Sequence, residues 1–228
     1  MSVRSLLAAA ALAVACRSTA AGQSIPSPYR YFDTHQELTA TAGWVQPGTG
    51  QFGYGPGPGP LVALRYGVDM GAAMSAEAIT TWIPTTRDVI DPRRREGDRK
   101  IGTANVQIGL LEARLKLSLT GSRTWHGLNP IAYFGAGAAW DFAPKSLDES
   151  ALVAEDQFEF KTSFVGTLGT GMRWFVTDQV NVRVEGGLYL WRLTAPDGFR
   201  RVDRGFGDVG SSEWANAGTA SIGLAYRF

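Results

Sequence analysis

Two histidines and a few carboxylates are the residues of this chain best equipped for chemistry. His126 follows Ser122 in Ser122-Arg123-Thr124-Trp125-His126-Gly127. A hydroxyl nucleophile needs a base within hydrogen-bond reach and a third group that orients the base. No acid in that stretch supplies the third group. His35 stands between Asp33 and Glu37, a scatter of donors without the spacing of a metal motif. Asp148, Glu149, Glu155 and Asp156 make a later segment acidic, but without the spaced oxygens of a calcium loop. Gly166–Gly171 is glycine-rich but does not follow a strand and open a helix, so it is not a nucleotide loop. The single cysteine, Cys16, excludes a disulfide framework and a multi-cysteine zinc site. No catalytic residue, metal ligand or cofactor is assigned, and the chain is not read as an enzyme.

A second set of charges has a different pattern. Glu77, Glu112, Arg114, Lys116, Arg183 and Glu185 occupy alternate positions in stretches whose other positions are apolar. In Leu111–Leu119, Leu111, Ala113, Leu115, Leu117 and Leu119 share one face, and Glu112, Arg114, Lys116 and Ser118 share the other. Val180, Val182, Val184, Leu188 and Leu190 alternate in the same way with Asn181, Arg183 and Glu185. A period of two is the signature of a strand with two unlike faces.

That period recurs through the chain and no segment shows a convincing helical one. Eight strands are expected, over 36–46, 59–66, 70–83, 104–120, 130–142, 158–176, 180–192 and 213–228. Many exceed the usual ~5–6 residues and match the ~9–11 of a tilted membrane-spanning strand. Short or moderate connections (Gly67–Asp69, Gly121–Asn129, Thr177–Gln179) alternate with long ones (Pro47–Gly57, Pro84–Arg99, Ala143–Gln157, Thr194–Ser212). This alternation is that of an outer-membrane barrel with short periplasmic turns and long external loops. An even strand count puts both termini on the periplasmic side, together with His35 and His126. The loop 84–100, which carries Arg93-Arg94-Arg95 and a net charge of +2, is read as a solvated loop. A grip on lipopolysaccharide phosphates or on an anionic partner is the alternative.

Composition is compatible with this. The chain is 44% apolar and 19% charged, with 28 glycines and a formal charge of +1. The charge balance gives no basic face for nucleic acid. No apolar run reaches the ~18 residues of a spanning helix. Met1–Gly22 has Arg4, an apolar run from Leu6 to Ala15 and small residues at Ala20, Ala21 and Gly22, the layout of a secretory signal peptide. Three segments are expected: a leader over 1–22, a periplasmic segment over 23–35 and a barrel over 36–228. Cys16 leaves with the leader, or is lipidated if Ala13-Val14-Ala15-Cys16 acts as a lipoprotein box.

Which face turns inward decides the class. A soluble ligand-binding barrel is apolar inside, and an outer-membrane barrel inverts this. Trp44, Trp82, Trp140 and Trp214 fall near the loop ends of their apolar faces, and Tyr66, Trp174, Tyr226 and Phe228 near the turn ends. Two such bands are the girdles of a membrane barrel. Trp125 and Trp191 do not fit them. The six charges then fall at similar heights inside an eight-stranded barrel, whose interior is just wide enough for side chains to fill. Charges survive there when paired, and such a cluster would hold the lumen shut.

The chain ends Ile222-Gly223-Leu224-Ala225-Tyr226-Arg227-Phe228. Ile222, Leu224, Tyr226 and the terminal Phe228 resemble the C-terminal signal of bacterial outer-membrane barrels. The hairpin patterns at Ala132–Phe142 and Val176–Leu190 resemble small barrels of the OmpA/OmpX-like group. The resemblance implies an all-β, eight-stranded antiparallel up-and-down transmembrane barrel in the bacterial outer membrane. It implies outer-membrane lipids and lipopolysaccharide as surroundings and the barrel assembly machinery as a partner in biogenesis. A monomer is expected. Because the chain stops at its last strand, no peptidoglycan-binding domain and no direct cell-wall anchor are expected. The role is read as structural or surface-interacting. The alternatives are a narrow pore or small hydrophobic-ligand conduit, as in OmpW-like barrels, and, more distantly, a lipid A-modifying enzyme.

Overall fold

A computed structural model describes residues 27–31, 36–71, 73–206 and 208–228. The leader, Cys16, Asp33 and His35 lie outside them. Ten strands form one antiparallel sheet: β1 (Tyr29–Tyr31), β2 (Gln36–Pro47), β3 (Gly59–Asp69), β4 (Met74–Ile90), β5 (Lys100–Ser118), β6 (Arg123–Trp125), β7 (Leu128–Asp141), β8 (Ser163–Phe175), β9 (Val180–Thr194) and β10 (Ser212–Arg227). Eight of them close a barrel in the order β2-β3-β4-β5-β7-β8-β9-β10, with β10 returning to β2. The closing seam runs from Ala217 opposite Pro47 to Arg227 opposite Glu37. Closure leaves no strand of the barrel wall without a neighbour on either side, which is what lets strands stand in hydrocarbon. Among the described residues no helix is long and apolar enough to cross a membrane.

The period of two becomes an inside and an outside. Along β5, Glu112, Arg114, Lys116 and Ser118 are buried, while Leu111 and Leu117 are exposed. Along β9, Asn181, Arg183, Glu185, Tyr189 and Trp191 are buried, while Val184, Leu188 and Leu190 are exposed. The outward wall is mainly apolar on every strand of the barrel: Leu38, Leu64, Trp82, Leu111, Phe134, Leu168, Val184, Leu188, Ile222 and Leu224 are all exposed.

The strands differ from the sequence expectation at the loop end. β4 and β5 continue to Ile90 and Lys100, so the connection between them is 91–99 rather than 84–99. β7 pairs with β5 no further than Ile108 opposite Asp141. Lys100–Gln107 therefore extend past the end of β7, by roughly 25 Å at strand rise. The Thr, Val and Ile residues of 83–90 are strand formers, and Thr85 and Thr86 tie the extension to the preceding loop through bonds with Gly57. β8 starts at Ser163, five residues later than expected, because 158–162 is drawn over the barrel mouth by Phe158 and Phe160.

At the turn end, Gly121–Asn129 is more than a turn. β6 pairs with β1, bringing Tyr29 opposite Trp125, and joins β7 through His126 and Gly127. Both residues have positive φ, 50° and 79°. This is the backbone of a two-residue hairpin turn, and glycine is the residue that adopts it most readily. His126 is exposed on that turn, and no hydrogen bond joins it to Ser122 among the described residues.

Candidate functional site

The barrel interior has two layers. The layer nearer the short turns is ionic. Arg183 donates to Glu37 at 2.9 Å, to Glu77 at 2.8 Å and to Glu185 at 2.5 Å. Lys116 Nζ is 2.8 Å from Glu77 and 3.4 Å from Glu37. Arg114 pairs with Glu112 and lies 3.6 Å from Glu185, which also takes Arg65. Arg173 reaches Glu37 at 3.5 Å. Arg227 reaches Glu37 at 3.9 Å and Asp69 at 3.0 Å. All these side chains but Asp69 are at least nine-tenths buried.

Strand pairing assembles the layer. β4 and β5 bring Glu77 opposite Arg114 and Ser75 opposite Lys116. β2 and β10 bring Glu37 opposite Arg227. Cross-strand neighbours on one face lie within side-chain reach, so inward parity plus register is enough to make the contacts. All six sequence-selected charges are brought together. Glu37, Arg65, Asp69, Arg173 and Arg227 also belong to the network and were missed. They share the inward parity of their strands, which is the signal that could have found them.

Small residues make room for the large ones. A Cβ on Gly169 or Gly187 would stand 2.3 Å from the Tyr133 hydroxyl. The Tyr133 ring is in turn covered by Arg114, 4.4 Å from its centroid. Glycine here serves close approach between strands.

The layer nearer the loops is apolar. Val45, Leu61, Ile83, Val106, Ile108, Leu110, Tyr189, Trp191 and Leu193 are buried in one cluster. Tyr54, Phe158 and Phe199 enter it from three different loops, with Phe52, Phe160 and Phe206 packed against it. Phe52 stacks on Phe199 at 4.9 Å and Tyr54 on Phe158 at 4.9 Å. Trp191, the tryptophan that fitted no band, is the centre of this plug. It is fully buried and stacks on Tyr189 at 6.3 Å.

Polar contacts hold the loops over the plug. Tyr54 donates to Glu213, and burial together with that carboxylate raises the phenol above its ordinary range. Arg87 pairs with Glu149, whose helix α1 (Leu147–Ser150) carries a capping box with Ser146. Asp156 takes Arg204 and also Arg93, at 3.5 Å. Arg93 and Arg94 are further met by Asp91, at 3.0 and 3.9 Å. The arginine run of this loop is thus largely neutralised by its own surroundings. The acidic residues Glu149, Glu155 and Asp156 take arginines, and the described residues contain no group of three or more possible metal ligands.

The outer face carries the aromatic residues. Trp44, Trp140 and Trp214 are exposed at the long-loop ends of their strands, and Tyr66, Trp174, Tyr226 and Phe228 at the turn ends; Trp82, expected at a strand end, is exposed in the middle of the lengthened β4, level with Trp140 across Gly109. Trp125 lies apart from both, on the β1–β6 ribbon.

A closed, eight-stranded, up-and-down antiparallel barrel is the fold of small outer-membrane β-barrel proteins. The structure is similar to neisserial surface protein A, with a TM-score of 0.50 at 12% identity over 85% of this chain and 97% of that one. It is also similar to the N-terminal β-barrel domain of Pseudomonas aeruginosa OprF (0.42, 12%, 86% and 100%) and to Ail, the attachment invasion locus protein of Yersinia pestis (0.38, 13%, 85% and 99%). The likeness to the neisserial protein is one of fold. No family model and no curated protein matches the chain.

Proposed function

We propose that this chain is an outer-membrane β-barrel with a non-enzymatic, structural or surface-interaction role. One observation carries the reading: the outward residues of all eight barrel strands are predominantly apolar, while all but a few of the charges on the same strands are turned inward and paired. A soluble barrel has no reason to invert its faces in this way. The aromatic residues at both ends of the outer wall sit where membrane girdles sit. In this reading residues 1–22 are a secretory leader, the termini are periplasmic and the long loops face outward among outer-membrane lipids and lipopolysaccharide. Ile222, Leu224, Tyr226 and Phe228 present the signal read by the assembly machinery.

The two filled layers favour a barrel that holds its loops in place over one that conducts. Lys116, Ile83, Ile108, Leu110 and Trp191 are all less than 2% exposed. Loop function then resides in the tied cap, since loops on a rigid scaffold are where recognition is usually placed. The apolar upper layer favours one alternative, a conduit or receptor for small hydrophobic molecules. Among the described residues no nucleophile–base pair supports a lipid A enzyme.

The first test is electrophoretic mobility in detergent. The folded barrel runs faster unheated than boiled. A protein that dissolves without detergent and shows no heat shift refutes the membrane reading. In planar bilayers the wild-type protein is expected to be silent, and steady single-channel steps would reject the closed-barrel reading. Lipid A from expressing cells should keep its acyl pattern, and a change would reinstate the enzyme.

A further inference from the structure

The outward wall of the barrel is nearly free of charge, and its exceptions differ from each other. Asp88, on the β4–β5 extension, pairs with Lys100 at 2.7 Å. Arg192 of β9 is exposed and has no carboxylate partner among the described residues. Its Nε donates to Ser212 Oγ at 2.7 Å, and its terminal nitrogens make no hydrogen bond among the described residues. β10 puts Trp214 directly opposite it. β8 pairs Val165 with Trp191, so Phe164 comes alongside on the other flank, and the Arg192 amide donates to Ser163 Oγ at 3.0 Å. Trp214 and Phe164 are 63% and 58% exposed.

We propose that Arg192, steadied by Ser212 and flanked by Trp214 and Phe164, binds the phosphate of a phosphorylated lipid headgroup in the loop-side leaflet. The proposal rests on the membrane reading above. An unneutralised guanidinium on a lipid-facing wall is costly unless an anion meets it. Its planar fork matches phosphate oxygens better than any other side chain does. Two exposed aromatic rings beside it mark the depth at which headgroups lie. Ser212 fixes the Nε edge and leaves the terminal nitrogens to face outward. The more obvious basic feature, Arg93-Arg94-Arg95, is a poorer site. Arg93 and Arg94 already answer to Asp91, Asp156 and Asp98.

The test uses the whole protein in phosphatidylcholine nanodiscs doped with lipid A, or with the same lipid stripped of its phosphates. Lipid retained per barrel after mild detergent release is measured by native mass spectrometry. Wild type should retain the phosphorylated lipid and not the stripped one. Arg192→Gln should lower retention about five- to tenfold, Arg192→Lys less, with the unheated gel mobility of both variants unchanged. Equal retention by Arg192→Gln overturns the proposal and leaves the membrane reading intact. Full displacement by millimolar inorganic phosphate overturns it in favour of a free-anion site. A chain that never enters the disc, or lacks the heat shift, overturns both.

Discussion

Replacing Glu77 by Gln should destabilise the barrel by about 3–5 kcal/mol, the cost of removing one partner from a buried ion-pair network. The magnitude follows from what the carboxylate holds. Glu77 lies 2.8 Å from both Lys116 and Arg183, and its side chain is 1% exposed. Without it, Lys116 keeps one acid, Glu37, at 3.4 Å. Arg183 keeps Glu37 and Glu185. Two cations then face each other across a site that water reaches poorly. The amide is nearly the same size as the carboxylate, so packing is conserved and the loss is electrostatic. A second substitution, Lys116→Met, removes the stranded cation. Exchanging a whole buried pair for groups of similar volume is often close to neutral. The double variant should therefore recover about 2 kcal/mol or more relative to Glu77→Gln. The assay is urea unfolding of the vesicle-inserted protein, followed by tryptophan fluorescence and by gel mobility. If Glu77→Gln unfolds within about 0.5 kcal/mol of wild type, or if the two losses simply add, the ionic layer is not the coupled network its geometry describes.

Three further outcomes follow from other contacts. Gly169→Val should abolish or greatly slow folding, because its Cβ would meet the Tyr133 hydroxyl at 2.3 Å. The Gly186 carbonyl oxygen would also stand 2.5 Å from that Cβ, so adding Tyr133→Ala should restore the heat shift only in part; a single variant that folds normally would contradict the close approach. Burial pushes the Asp91 carboxyl up, but the hydrogen bonds and charge of Arg93, helped by Arg94, outweigh it and hold it below its ordinary value of 3.8. A lowered folded value means the contact helps the loop above the unfolded value and is lost as pH falls through the folded one. Amide hydrogen exchange over 91–99 should thus be slower in wild type than in Asp91→Asn at pH ~6, with the difference closing well below pH ~4; equal exchange in both proteins at pH ~6 would remove Asp91 from the loop's stability. Arg123 lies 5.4 Å from the Tyr31 ring, which ties β1 to β6. Tyr31→Ala should loosen this ribbon in hydrogen exchange while leaving the barrel strands protected, and loss of protection throughout would show that the ribbon is part of the closure.

Much of the fold is legible because one parity does two jobs. On β5 the positions of Leu111 to Leu117 and of Glu112 to Ser118 fix the faces without any knowledge of neighbours. Long and short connections then order the strands. What parity cannot reveal is what lies opposite. Glu37 reads as a scattered acid near a histidine until β2 meets β10 and Arg227 comes alongside. Arg65 reads as one polar residue in a strand until the curvature of the barrel brings it to Glu185, 120 positions away. The β1–β6 pairing links 29–31 to 123–125, and a three-residue strand has too few positions to show a period. The loop cap was hidden for a similar reason. Phe52, Tyr54, Phe158 and Phe199 obey no period, so their common destination appears only once the barrel provides a mouth to fill.

The two layers close the barrel by different physics, and this can be separated by experiment. Trp191 has the same inward parity as Arg183, yet it sits among aliphatic and aromatic neighbours from strands and loops alike. Replacing it by Ala removes the largest fully buried side chain among the described residues. The expected loss is about 3–5 kcal/mol, made of lost transfer energy and the cavity left behind. Apolar contacts do not screen, so this loss should be the same in 50 mM and in 1 M salt. The Tyr54, Phe158 and Phe199 rings lose their floor at the same time, so the loops should become sensitive to protease while the outer wall stays inserted. A small aromatic added to the variant should restore part of the stability, as apolar cavities accept such guests. Protection of the loops in Trp191→Ala as complete as in wild type would mean that the cap stands on its polar ties alone, with Tyr54–Glu213, Arg87–Glu149 and Arg204–Asp156 sufficient to hold it.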